Sequence, residues 1–173
     1  MKSIVILFFI LFIHLFAHPH TFIDVFPKIY NNKNIINSIT LLWKFDEMTS
    51  ELLIMEFDQN ANGKIDKEEE QYIKINYFEP LEAYGFYTYV NINKKLISII
   101  PKNFKSFIDK EKRVIYLFDV EINSDKNSVY IDFYDSKNFT AFILEKRFVT
   151  GNLFYQVNGI DKDFYYSRRL EFK

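Results

Sequence analysis

Two stretches of this chain carry side chains whose types and spacing could do chemistry. The first is DQNANGKIDKEE, residues 58–69, which follows the pattern of a twelve-residue calcium-binding EF-hand loop position by position. Asp58, Asn60 and Asn62 supply side-chain oxygens at positions 1, 3 and 5. Gly63 permits the sharp bend at position 6. Lys64 stands at position 7, where only a backbone carbonyl is needed. Ile65 at position 8 is the apolar residue that packs the loop, Asp66 at position 9 can ligate through water, and Glu69 at position 12 can close the sphere with both oxygens. A set of hard oxygen donors suits Ca²⁺. Neither DKEKRVIYLFDV nor DSKNFTAFILEK has the glycine and closing glutamate of a second loop, so the hand is solitary. A structural ion is therefore expected rather than a sensor.

The second stretch is FAHPHTF, residues 16–22, which holds two of the three histidines. Residues 4–16 are an apolar run interrupted only by His14, preceded by Lys2 as the only charge. This reads as a signal peptide over residues 1–17, too short to span a bilayer, with cleavage between Ala17 and His18. An uncleaved leader anchoring the chain in the inner membrane is the alternative. Cleavage makes His18 the first residue, so its α-amino nitrogen and imidazole can chelate one ion. His20 lies about 6.6 Å further along an extended chain, on the same side. The three nitrogens suit Ni²⁺, Co²⁺, Zn²⁺ or Cu. Pro19 has no amide proton to lose, which blocks square-planar ligation through backbone amides and leaves an arrangement like a histidine brace. Asp24 shares the strand face but sits about 13 Å from His20, too far to join that ion.

The elements that position these groups follow from periodicity. Alternation over residues 21–29 and 37–43, where Ile39, Leu41 and Trp43 share one face, predicts two strands. Met48, Leu52, Leu53 and Met55 fall at helical spacing within residues 46–57, with Asp46 able to cap. A second helix is expected over 67–78, ending before Pro80. Strand periodicity then returns at 86–92, 112–122, 128–135, 140–148, 153–157 and 163–172. The reading is a mainly β (α+β) fold: an antiparallel β-sandwich or open barrel, one domain over 18–173, with a helix-loop-helix insertion at about 46–78.

Composition narrows the function classes. With no cysteine, an exported chain has neither disulfides nor thiolate sites. The net charge of −1, or −2 once Lys2 is removed, is spread without basic blocks, so no nucleic-acid partner is expected. No carboxylate pair, nucleophile with a base, or phosphate-binding glycine loop accompanies the histidines, which argues against an enzyme; a copper oxidase built on the brace is the enzymatic alternative.

AHPHTFIDV (17–25), LLWKFDEMTSELL (41–53), FDQNANGKIDKEE (57–69), YGFYTYVNIN (84–93) and, more loosely, IDFYDSKNF (131–139) resemble an uncharacterised bacterial family described as the periplasmic component of an ABC-type transport system. The resemblance implies a periplasmic protein, often encoded beside nickel/cobalt-type metal permeases, with His18 and His20 as metal contacts; an inner-membrane metal permease or ABC-type transporter is the expected partner. The expected function is a transition-metal-binding accessory stabilised by calcium. The alternative is a calcium-stabilised interaction module that docks through aromatics such as Tyr87, Tyr89, Tyr165 and Tyr166.

Overall fold

The computed structural model of the chain describes residues 21–162 and 165–173. Its framework is two five-stranded sheets packed face to face. In the first, the order is β5 (Lys102–Ile108), β6 (Val114–Asp125), β2 (Ile35–Phe45), β1 (Thr21–Asn32) and β8 (Thr140–Ile143). In the second it is β4 (Lys95–Ile97), β3 (Thr88–Ile92), β7 (Val129–Phe133), β10 (Tyr165–Phe172) and β9 (Tyr155–Lys162). All pairings are antiparallel except β1 with β8, which run parallel from Thr21 opposite Thr140. Among the described residues no helix is long and apolar enough to cross a membrane.

The two-residue period of the sequence is what builds the core. Val25, Ile39, Leu41 and Trp43 of the first sheet are essentially inaccessible, as are Ile131, Phe133 and Leu170 of the second. Along β6, Val114, Tyr116, Phe118, Val120 and Ile122 all point inward, so one strand feeds five large side chains to the core. Trp43 packs edge-on against Phe118 at 5.1 Å and against Phe142 at 5.5 Å, which fixes the centre of the sandwich.

The helical insertion leaves β2 at Phe45. Helix α1 (Glu47–Phe57) is capped by Asp46, whose carboxylate accepts from Thr49 N–H at 2.9 Å. The apolar stripe that identifies this helix does not face the core: Met48, Leu52 and Met55 are 62, 64 and 82 % exposed. Ser50 and Phe57 are buried instead, with Leu53 and Ile54 partly so. Ser50 can face inward because its hydroxyl donates to Phe45 O and accepts from Val114 N–H, satisfying a polar group inside the fold. Full burial of Phe57 contributes about 2 kcal/mol.

The second helix is shorter than its periodicity predicts. α2 (Lys67–Ile73) gives way to a π-turn at Lys74–Phe78 and then to a 3₁₀ stretch at Glu79–Tyr87. Gly85, Phe86 and Tyr87 all adopt left-handed φ values, so the strand expected from residue 86 begins at Thr88. The strand expected over 140–148 ends at Ile143 and is followed by a 3₁₀ turn at Lys146–Phe148. β4 and β5 have no counterpart in the sequence reading. All of β4 is exposed, and the inward face of β5 is Phe104 and Ser106, with Phe107 turned outward, so neither shows an apolar alternation.

Candidate metal-binding loop

The loop 58–69 joins α1 to α2, and its backbone turns around its own side chains. The Asp58 carboxylate accepts from Asn62 N–H at 2.9 Å and Gly63 N–H at 2.8 Å, one on each oxygen. Asn60 Oδ1 accepts from Asn62 N–H, and Asn62 Oδ1 accepts from Lys64 N–H. At the far end Asp66 caps α2, and Glu69 answers by accepting from Asp66 N–H at 2.9 Å, a reciprocal capping box. The second Glu69 oxygen reaches back across the loop to Asn60 N–H at 3.3 Å. Ala61 and Gly63 take left-handed φ values of 55° and 79°, which let the chain fold back within six residues.

This arrangement concentrates acceptors. Glu69 is 5 % exposed, and none of Asp58, Asp66 and Glu69 enters any ion pair of the described residues. Buried carboxylate charge without a cationic partner is costly, and a hard cation would relieve it. The three carboxylates do not form a metal-ligating cluster by themselves among the described residues. A cation here depends on the amide oxygens of Asn60 and Asn62 and the Lys64 carbonyl in addition. The donor chemistry fits Ca²⁺, and Asn60 Nδ2, which now donates to Asp66 Oδ2 at 2.8 Å, is the group that an ion would displace. Ile65 packs against the hydrophobic core, as a position-8 aliphatic should.

Where paired hands brace one another, this insertion braces on the sandwich. Glu56, near the end of α1, accepts from Tyr72 Oη at 2.7 Å and Tyr77 Oη at 2.9 Å, tying the two helical segments. That contact lowers the Glu56 pKa and raises that of Tyr72, while burial first and the Glu56 bond second raise that of Tyr77. Glu70 of α2 accepts from Ser106 N–H of β5 and pairs with Lys105 at 3.3 Å. The other end of α1 is fixed by a two-way clip: Phe22 N–H donates to Asp46 Oδ2 at 2.8 Å, and Asp46 N–H donates to Phe22 O at 2.9 Å.

The second set of candidate ligands, His18 and His20, and the leader 1–17 lie outside the described residues. Of the aromatics proposed as a docking surface, Tyr87 is buried. Tyr89 and Tyr165 stack on the two sides of Tyr134 at 4.0 and 4.8 Å, and Tyr166 alone is substantially exposed at 49 %. These rings serve mainly as packing, because alternate positions on neighbouring strands bring their faces together.

Fold and insertion together define a mainly β sandwich protein with a helix-loop-helix excursion between its second strand and the rest. The chain belongs to the family described as "Protein of unknown function (DUF1007)", whose model matches residues 3–152. It is 30 % identical over 98 residues to the "Uncharacterized 15.5 kDa protein in trpE 3'region" of Spirochaeta aurantia, a match spanning 54 % of this chain and 69 % of that protein.

Proposed function

We propose that this protein is a periplasmic accessory that binds a transition metal, nickel, cobalt, zinc or copper, through His18 and His20, working beside an inner-membrane metal permease or ABC-type transporter, with Ca²⁺ in loop 58–69 as a structural ion. The observation that carries the reading is the position of α1. Its first turn is clipped to Phe22 by the paired hydrogen bonds with Asp46, and its last residue precedes Asp58. An eleven-residue helix is about 17 Å long, so an ion at one end would steady, through the Asp46 clip at the other, the strand start that follows the histidines in sequence. His20 is one residue and His18 three residues before Thr21, where β1 begins. Calcium therefore contributes through folding free energy, and the nitrogen ligands bind the cargo.

The test is metal binding by the exported protein with its first residue verified as His18. Isothermal titration should give one site for a borderline divalent ion that His18→Ala/His20→Ala removes, while calcium uptake by the same double variant stays intact. Equal nickel, cobalt, zinc and copper binding by the parent and the variant overturns the reading. A second reading, a calcium-stabilised interaction module without a transition metal, is favoured by the outward Met48, Leu52 and Met55, a flexible apolar stripe on the insertion. It predicts that the histidine variant changes nothing.

A further inference from the structure

Three of the four segments by which the sequence resembles its family outside the loop meet at one place, and the residue after the fourth joins them. Thr21 and Ile23, then Trp43, Phe45, Thr49 and Leu53, then Tyr87, and Thr140 just beyond the fourth, all line a single cavity of about 230 Å³ between the strand ends and the insertion. Its walls are aromatic: Tyr77 and Tyr116 complete a ring of five with Trp43, Phe45 and Tyr87. No lining residue carries a formal charge.

Two independent features mark this cavity as more than a packing fault. The first is an unanswered donor. Trp43 is 0 % exposed, yet its Nε1–H has no acceptor among the described residues, an arrangement folded proteins rarely leave uncompensated. The second is local backbone strain. Gly85, Phe86 and Tyr87 are left-handed in succession, with φ of 58°, 50° and 47°, a costly conformation for two bulky residues. What it achieves is placement of the Tyr87 ring against the cavity. Asn138 Nδ2 donates to Tyr87 Oη at 2.9 Å and is itself held by Asp135, which accepts from Asn138 N–H. Tyr87 Oη therefore accepts from the protein and keeps its own proton to give away. Burial, with the nearby Asp135 charge adding to it, pushes the phenol up to about 12, so that proton stays in place at neutral pH.

We propose that this cavity binds a small uncharged organic molecule with an apolar body and one hydrogen-bond-accepting oxygen, such as a ketone or ether, which Trp43 Nε1–H and Tyr87 Oη–H receive. An ion would be desolvated there with no opposite charge in the wall, and a pure hydrocarbon would leave both donors unanswered. A neutral acceptor satisfies both, and the rings supply the apolar contact.

Trp43 is the only tryptophan, so its emission reports the cavity without interference. The whole exported protein is titrated with cyclohexanone, and in parallel with methylcyclohexane, cyclohexanecarboxylate and tetramethylammonium. The expected result is a saturable emission change with cyclohexanone and weaker binding of the other three. Tyr87→Phe should weaken cyclohexanone binding roughly 5-fold through loss of one hydrogen bond. Leu53→Phe, which fills space at the wall while keeping an apolar side chain, should abolish it with the far-UV spectrum unchanged. His18→Ala/His20→Ala should leave the titration as it was, which separates this site from the metal reading. The proposal is overturned by the absence of a saturable change, by tightest binding of the cation or the carboxylate, by equal affinity for ketone and hydrocarbon, or by insensitivity to both Tyr87→Phe and Leu53→Phe. A shift in emission on the histidine substitutions alone, with no probe added, also overturns it, because the occupant would then be the chain's own first residues.

Discussion

Asp46→Ala tests whether the junction of β1 and α1 is as important as its hydrogen bonds suggest. The Asp46 carboxylate accepts from Thr49 N–H at 2.9 Å, Thr49 Oγ1–H at 2.7 Å and Phe22 N–H at 2.8 Å. Losing the helix cap costs about 1 kcal/mol. Losing a charge-assisted bond to the Phe22 amide, which water can partly replace at this exposed strand end, costs about 1 kcal/mol more. A total near 2 kcal/mol, with a urea slope of about 2 kcal/mol/M for a domain of this size, lowers the denaturation midpoint by roughly 1 M. Acidity gives a second handle. Burial alone would raise the Asp46 pKa, but the bonds from the Thr49 hydroxyl, the Thr49 N–H and the Phe22 N–H outweigh it and hold the carboxyl below its ordinary value of 3.8. A depressed folded-state pKa means that the carboxylate's contribution is present above that ordinary value and is lost as pH falls through the lower, folded one. The parent and Asp46→Ala should therefore converge in strong acid and differ at pH 7. Urea titrations at pH 7 and pH 2.5 decide the matter. A midpoint shift under about 0.3 M at pH 7, or an equal shift at both pH values, refutes the reasoning.

Calcium should raise the melting temperature. At 1 mM and a dissociation constant near 10⁻⁴ M the linkage is about 1.4 kcal/mol, or roughly 3–6 °C, and Glu69→Gln should remove that increment; a melting curve indifferent to chelator in the parent would rule out the ion. Replacing Met48, Leu52 and Met55 one at a time by serine should change stability by no more than about 0.5 kcal/mol each, measured in urea, because all three are solvent-facing. Loss of several kcal/mol at any of them would mean that the helix is turned the other way.

Alternation was a dependable guide wherever one face of a strand is wholly apolar. Ile39, Leu41 and Trp43, and the five inward residues of β6, are buried as their spacing predicts. The pattern failed where packing chose a small polar side chain. Ser50 takes a core-facing position on α1 because Phe45 O and Val114 N–H satisfy its hydroxyl, and that turns the methionine stripe outward. Ser106 also faces inward on β5, although its hydroxyl has no partner among the described residues, and it hides that strand from any hydropathy rule. The bend of loop 58–69 was legible because Gly63 takes there the left-handed φ that its position in the pattern calls for. The aromatic cavity was not, because its rings are scattered from residue 43 to residue 116 and are brought together only by the two sheets and the insertion. The one local sign is YGFYTY, whose Gly85 opens the left-handed run but does not announce the two left-handed aromatics that follow it.

The insertion's attachments explain why it can hold a loop without a partner hand. A helix of eleven residues and another of seven are too short to be stable alone, so their geometry has to be imposed from outside. It is imposed at three points: Asp46 on Phe22 of β1, Ser50 on Val114 of β6, and Glu70 on Ser106 of β5. These fix both helices to one sheet, with Glu56 closing the far side through Tyr72 and Tyr77. Helices anchored in this way cannot swing apart as a sensor's do without breaking bonds to the sheet. An ion in the loop would therefore lock the strand ends and leave no switch for signalling. The same rigidity holds Tyr77 and Leu53 at the wall of the aromatic cavity, so an ion bound in the loop would be felt there through α1. Calcium removal should then broaden the Trp43 emission response to cyclohexanone, while an unchanged response in chelator would show that the sheet anchors alone set the cavity.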